Sequence, residues 1–271
     1  MNFAIPFLMV ALAAPQTPTT LADVAKASGL TLEVVEKPTT WPARNYQVVA
    51  DAASAGGLKK YEPLFVEEWN RYPASLFKKA KVTKLIIGAK VAMNGQIRAA
   101  VPAFDLDTMF YDAELGNYRP DYQRVVIHHE LFHMIDQRMG VMRRDPEWAA
   151  LNGPEFKYGD GGHNVRNLGA GELTDKLPGL LTPYAGSAVE EDKAELFAHL
   201  LVNPAFVTER AKLDPVLAKK IELLKRRLAT FDPGLGESFW RPVRSGAAVI
   251  WGGKFELQIP QSAPSLSVVL R

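Results

Sequence analysis

The sequence predicts an α+β fold, with a small mixed β-sheet in the first half, one strong helix in the middle and a mostly helical second half. Three observations carry this. Short β-branched or alternating segments cluster before residue 115. The longest helical pattern follows at Asp121–Met139, and two more helical patterns lie beyond it. The chain has 271 residues, 47% of them apolar and 23% charged, enough to bury a sizeable core.

The elements follow in order. Leu21–Ser28 reads as a short helix closed by Gly29. Thr31–Glu36 and Tyr46–Ala50 are β-branched strand candidates. Leu58, Tyr61, Leu64, Phe65 and Trp69 fall at helical spacing over Leu58–Asn70, and Pro73 ends that pattern. Val82–Ala89 reads as a buried strand, Asn94-Gly95 as a hairpin turn and Ile97–Val101 as the return strand. Met109–Asp112 is expected as a short edge strand. Asp121 is placed to cap the central helix, which Pro120 precedes and Gly140 closes. The Gly-rich stretch Asn152–Gly171 has no periodic pattern and reads as a long loop. Val189–Val202 and an amphipathic Pro215–Phe231 are helices; Ala247–Ile259 and Leu266–Leu270 are terminal strand candidates.

Composition excludes several functions. Thirty-two Lys+Arg against thirty Asp+Glu leave a formal charge of +2, without the basic excess of a nucleic-acid binder. The basic cluster Lys219, Lys220, Lys225, Arg226 and Arg227 reads as the wet side of an amphipathic helix. Cysteine is absent, which removes disulfides, thiol nucleophiles and thiolate metal sites. Any metal must be held by His, Asp or Glu, and there are only five histidines. Residues 1–14 carry an apolar run too short to span a bilayer, with Ala11-Leu12-Ala13 placed as a cleavage site. A signal peptide and a secreted or periplasmic protein are expected, although the run lacks the usual basic start. No other run approaches membrane length, so no membrane span is expected in the mature chain.

The central helix holds His129-Glu130-Leu131-Phe132-His133, an H-E-x-x-H. Residues four apart stack on one helix face, so both imidazoles can meet one metal ion. Glu130 lies about 100° around the helix, where it can take a proton from water on the open side. His128 points off that face and reads as a surface or supporting residue. A catalytic zinc takes a third protein ligand. The H-E-x-x-H-x-x-G-x-x-H pattern fails, because Asp136 stands at its glycine and Met139 at its last histidine. Acidic candidates are Glu155, Glu172 and the group Glu190, Glu191 and Glu195. In the last, Glu191 and Glu195 share a helix face beside Ala194 and Ala198, small residues that admit a second helix closely. Glu191 would ligate, and Glu195 would accept a hydrogen bond from a ligand imidazole. Asp136, one turn after His133, is a second candidate for that supporting role.

H-E-x-x-H followed by Tyr-x(6)-Glu-x-x-x-Glu, here Tyr184, Glu191 and Glu195, resembles the catalytic domain of the anthrax lethal factor family, an arrangement shared with clostridial Pro-Pro endopeptidases and many bacterial zinc metallopeptidases. The likeness spans roughly Leu85–Leu201, and Gly179–Ala198 resembles the family's signature. It implies a zincin-like fold, Zn2+ as cofactor, and His129, His133 and Glu191 as ligands. It also implies Glu130 as base and Tyr184 as hydroxyl donor to the oxyanion. The Gly-rich insertion between the two site helices departs from the family.

The expected organisation is a signal peptide over 1–14 and a segment 15–80, part of the catalytic domain or a small accessory region. A catalytic domain with a C-terminal extension follows over 81–271. The expected activity is a zinc-dependent endopeptidase acting on a peptide or protein substrate. The Met109–Asp112 edge, including Tyr111, would align the peptide by strand addition, and His163 in the Gly-rich loop is a second candidate contact. His199 is expected to pack or hydrogen-bond. Two readings compete: a zinc-binding regulatory or partner-binding protein with little activity, and a structural site closed by a fourth ligand such as His163.

Overall fold

The computed structural model describes residues 17–159, 161 and 172–241. The run 1–14, His163 and the strand candidates Ala247–Ile259 and Leu266–Leu270 lie outside the described residues. Seven strands form one mixed sheet: β1 (Thr31–Val34), β2 (Thr39–Pro42), β3 (Gln47–Asp51), β4 (Lys84–Met93), β5 (Gln96–Ile97), β6 (Ala100–Ala103) and β7 (Thr108–Asp112). The helices are α1 (Leu21–Ser28), α2 (Ala55–Trp69), α3 (Ala74–Lys79), α4 (Pro120–Met139), α5 (Pro146–Ala150), α6 (Val189–Val202), α7 (Pro204–Leu213) and α8 (Pro215–Phe231). All described strands precede α4, and only helices and 3-10 turns follow it. The fold is α+β. No described helix is long and apolar enough to cross a membrane.

β4 organises the sheet. It pairs in parallel with β1 and β7 and antiparallel with β3 and β5, in the order β2-β3-β4-β7-β6. Both of its faces are covered, so it reads as a nearly continuous apolar run. Leu85 and Ile87 enter the main core with Phe65, Trp69, Phe132, Phe197 and Leu224. Ile86 and Val91 enter a smaller cluster with Val48, Val101 and Phe110 on the other face. Residues 17–80 share that sheet and core, because β3 pairs with β4 and Leu21 and Trp69 belong to the main cluster.

Two strand expectations change. The Asn94-Gly95 turn forms with both residues at positive φ, but the return strand breaks after Ile97. Its continuation, β6, pairs with β7 instead of β4. Thr108–Asp112 is therefore not an edge. It lies between β4 and β6 with all five residues buried, and β6 is the outer strand of this side. Asp112 ends β7 from within, accepting from the N–H groups of Val91, Glu114 and Leu115.

The central helix starts one residue early. Pro120 occupies its first turn, where the missing N–H costs nothing, and Asp121 follows inside the helix without capping it. Gly140 closes it at φ +78°, in the left-handed region. β2, α3, α5 and α7 were not read from sequence. α3 and α5 have six and five residues, too few to show a period, and α7 buries Val207 alone as a fully packed residue.

Candidate metal centre

α4 and α6 pack face to face and place His129, His133, Glu190, Glu191 and Glu195. Ala194 and Ala198 are fully buried, and Phe132 lies against Phe197 with ring centroids 5.0 Å apart. Across this contact His129 Nε2 is 3.0 Å from Glu191 Oε2, His133 Nε2 is 3.1 Å from His129 Nε2, and His133 Nε2 is 3.4 Å from Glu191 Oε2. Donors about 2.0–2.1 Å from one tetrahedral ion stand ~3.3 Å apart. The three atoms thus form a triangle of the size a zinc face requires. His129, His133 and Glu191 are the one metal-capable cluster among the described residues. Glu155 and Glu172 are exposed and outside it. The donor set, two imidazoles and a carboxylate, suits zinc.

The surroundings hold these groups in place. His129 Nδ1 lies 2.9 Å from Glu195 Oε1, so the imidazole N–H donates to that carboxylate and Nε2 is turned toward the cluster. Burial raises Glu195, but the hydrogen bond from His129 and the neighbouring His199 imidazole reverse this and keep it ionised. Burial likewise raises Glu191, and the two imidazoles override it, with the net shift downward. His129 is lowered by burial and raised further by Glu191 and Glu195, with the net shift upward.

Glu130 and Tyr184 face the same cavity of about 410 Å3 as the three donors. Burial raises the Glu130 carboxyl above its ordinary value, while His129 and His133 act to lower it. Tyr184 sits in a 3-10 turn just before α6, its ring 6.0 Å from that of His129. Burial and then the charges of Glu191 and Glu130 raise its pKa, so its hydroxyl stays protonated and able to donate.

Several expected site residues sit elsewhere. Tyr111 is fully buried under Phe65 and Trp69 and donates its hydroxyl to Ile127 O, so it cannot meet a substrate. Asp136 is paired with Lys193 at 2.7 Å, and His133 Nδ1 is buried without a hydrogen-bond partner. Among the described residues, Glu195 is therefore the carboxylate hydrogen-bonded to a candidate ligand imidazole from behind. His128 is not on the surface. It is fully buried, with Nδ1 2.5 Å from the Tyr72 hydroxyl and Nε2 3.0 Å from Glu68. Lys220 is not on the wet face of α8. It is buried against Asp192 at 2.6 Å and Gly179 O at 2.7 Å. His199 is buried between Glu195 and Asn203, as a packing or hydrogen-bonding residue.

One positioning residue was missed. Thr182 is fully buried and donates its hydroxyl to Glu195 Oε2 at 2.7 Å. Thr182 Oγ1 in turn accepts from Ala185 N at 3.1 Å. It thereby joins the turn carrying Tyr184 to the carboxylate that orients His129. Thr182 lies inside the Gly179–Ala198 stretch already singled out, but no spacing rule marks a threonine for this task. No protein-family model, curated protein or solved structure matches this chain.

Proposed function

We propose that the protein is a zinc-dependent endopeptidase, with His129, His133 and Glu191 as metal ligands. The observation that carries this reading is the triangle of donor atoms, with Glu130 and Tyr184 on the same cavity. A zinc ion held there would polarise a peptide carbonyl and acidify a water molecule. The chain's own groups account for the rest. Glu130, its carboxyl raised above its ordinary value by burial, takes the proton from the attacking water and returns it to the leaving amine. Tyr184 donates its hydroxyl to the carbonyl oxygen as negative charge develops there. Glu195, held by Thr182, fixes the His129 ring through its Nδ1–H.

The substrate backbone would add to β6. Asp112 N donates to Ala99 O at 2.9 Å, which sets the alternation of the ladder between β6 and β7. By that alternation Val101 and Ala103 face β7, while Ala100 and Pro102 turn their backbone groups outward. Proline at 102 costs no bond to β7 but leaves only its carbonyl on the outer edge, so an added strand would pair through Ala100 N–H, Ala100 O and Pro102 O. Ala100 and Pro102 line the same cavity as Glu130, so an extended peptide on this edge passes the base.

The test is a mixed peptide library offered to the zinc-loaded protein. Chelator-sensitive cleavage is expected, reduced by at least ~10²-fold in Glu130→Gln while zinc stays bound. Zinc binding without cleavage of any peptide would favour a regulatory or partner-binding protein instead.

A further inference from the structure

We infer that the cleft selects peptides carrying carboxylates near the scissile bond, and that Arg98 and Arg143 are the residues that select them. This rests on the peptidase reading and adds the substrate class. Arg98 comes from the connection between β5 and β6, where its backbone N–H donates to Val91 O at 2.8 Å. Its half-buried side chain lines the metal cavity. Its Nε is buried without a partner, and Nη2 donates only to the neutral Gln96 Oε1 at 3.1 Å. Arg143 follows α4, lines the same cavity and continues into an adjoining groove of about 440 Å3, where Arg144 joins it.

Neither Arg98 nor Arg143 has a carboxylate in ion-pair contact among the described residues. By contrast Arg71, Arg124, Arg138, Arg210, Arg226 and Arg227 are each paired with Asp or Glu. Three carboxylates share the cavity with the two guanidiniums. Glu191 is held against the imidazoles, and Glu130 serves as base. Among the described residues of the cavity, that leaves Glu190 beside the two cations. A guanidinium with a buried, unbonded donor gains most from a planar carboxylate, which it can grip through two parallel bonds. Arg98 stands two residues before Ala100, at the start of the β6 edge, so one arm of the bound peptide passes it. Arg143 leads into the adjoining groove and meets a different part of the chain.

The experiment uses the zinc-loaded full chain and paired peptides. The pairs are identical except for Asp or Glu against Asn or Gln at each position flanking the cleavage point. The acidic member is expected to be favoured about 10–100-fold in kcat/KM. Arg98→Gln and Arg143→Gln should each collapse that ratio at different positions, and Arg98→Glu should shift preference toward Lys. Arg143 is exposed, so its variant keeps the fold. Equal cleavage of both members, or a ratio that neither variant changes, overturns the inference. The same pairs are also titrated into Glu130→Gln by calorimetry. If nothing is cleaved, tighter binding of the acidic peptide that Arg98→Gln abolishes still supports the anionic site while the peptidase reading fails. Equal binding rejects the inference on its own.

Discussion

At the scale of single residues, the site is a chain of oriented hydrogen bonds behind three donor atoms. Thr182 holds Glu195, Glu195 holds His129, and His129 faces Glu191. Thr182→Val removes a donor from a buried carboxylate and frees the turn before Tyr184. Zinc affinity is expected to fall about 10–100-fold by chelator competition, with Thr182→Ser close to wild type. Wild-type affinity in Thr182→Val would show that the hydroxyl merely packs. Legibility at this scale followed sequence separation. His129, Glu130 and His133 were readable because a helix fixes the geometry of residues four apart, and the pairing of Glu191 with Glu195 was readable for the same reason. Tyr111 and Asp136 were misassigned because their partners, Ile127 O and Lys193, depend on packing between elements. Thr182 was missed on the same ground.

At the scale of elements, the approach of α4 to α6 brings candidate ligands 62 residues apart into contact. Two buried polar networks brace α4. Lys193 of α6 ties Asp136 to Asp145 and to the carbonyl of Val141 just beyond the helix end. On the other side His128 sits between Tyr72 and Glu68, and Arg71 reaches from the end of α2 to Leu201 O of α6. Burial, and then the charges of Arg71 and Arg124, hold His128 well below its ordinary pKa, so it stays neutral in the fold. The sign follows from linkage. Below about pH 6.5 the unfolded chain binds a proton that the folded chain refuses, so His128 makes stability fall as pH falls, by up to about 1.4 kcal/mol per pH unit. Denaturant unfolding at about pH 7.5 and about pH 5.5 should therefore show a shallower loss in His128→Gln than in wild type. An equal loss would place the proton elsewhere. Helix boundaries were legible from caps and periods: Val189–Val202 and Pro215–Phe231 fall where the pattern puts them. Strand neighbours were not, because a five-residue run such as Thr108–Asp112 looks alike whether it is paired on one side or two.

At the scale of the whole molecule, the α+β class was legible because the strand patterns cluster before residue 115 and the longest helical pattern follows it. The sheet order was not, since β4 collects partners from β1, β3 and β7 as well as its hairpin neighbour β5. That order is what makes β6 the free edge beside α4 and moves the proposed peptide groove from Met109–Asp112 to Ala100–Ala103. The resulting assembly is a sheet edge, a helix carrying H-E-x-x-H and a second helix carrying Glu191, closing on one cavity. The central claim is that this cavity binds one metal ion through three named side chains. The most direct test is zinc titration of the metal-free chain, beside Glu191→Gln and Glu190→Gln. One zinc per chain is expected in wild type and Glu190→Gln, with affinity reduced at least ~10²-fold in Glu191→Gln. Unchanged binding in Glu191→Gln, or no stoichiometric zinc in the wild type, would contradict the ligand set and the function built on it.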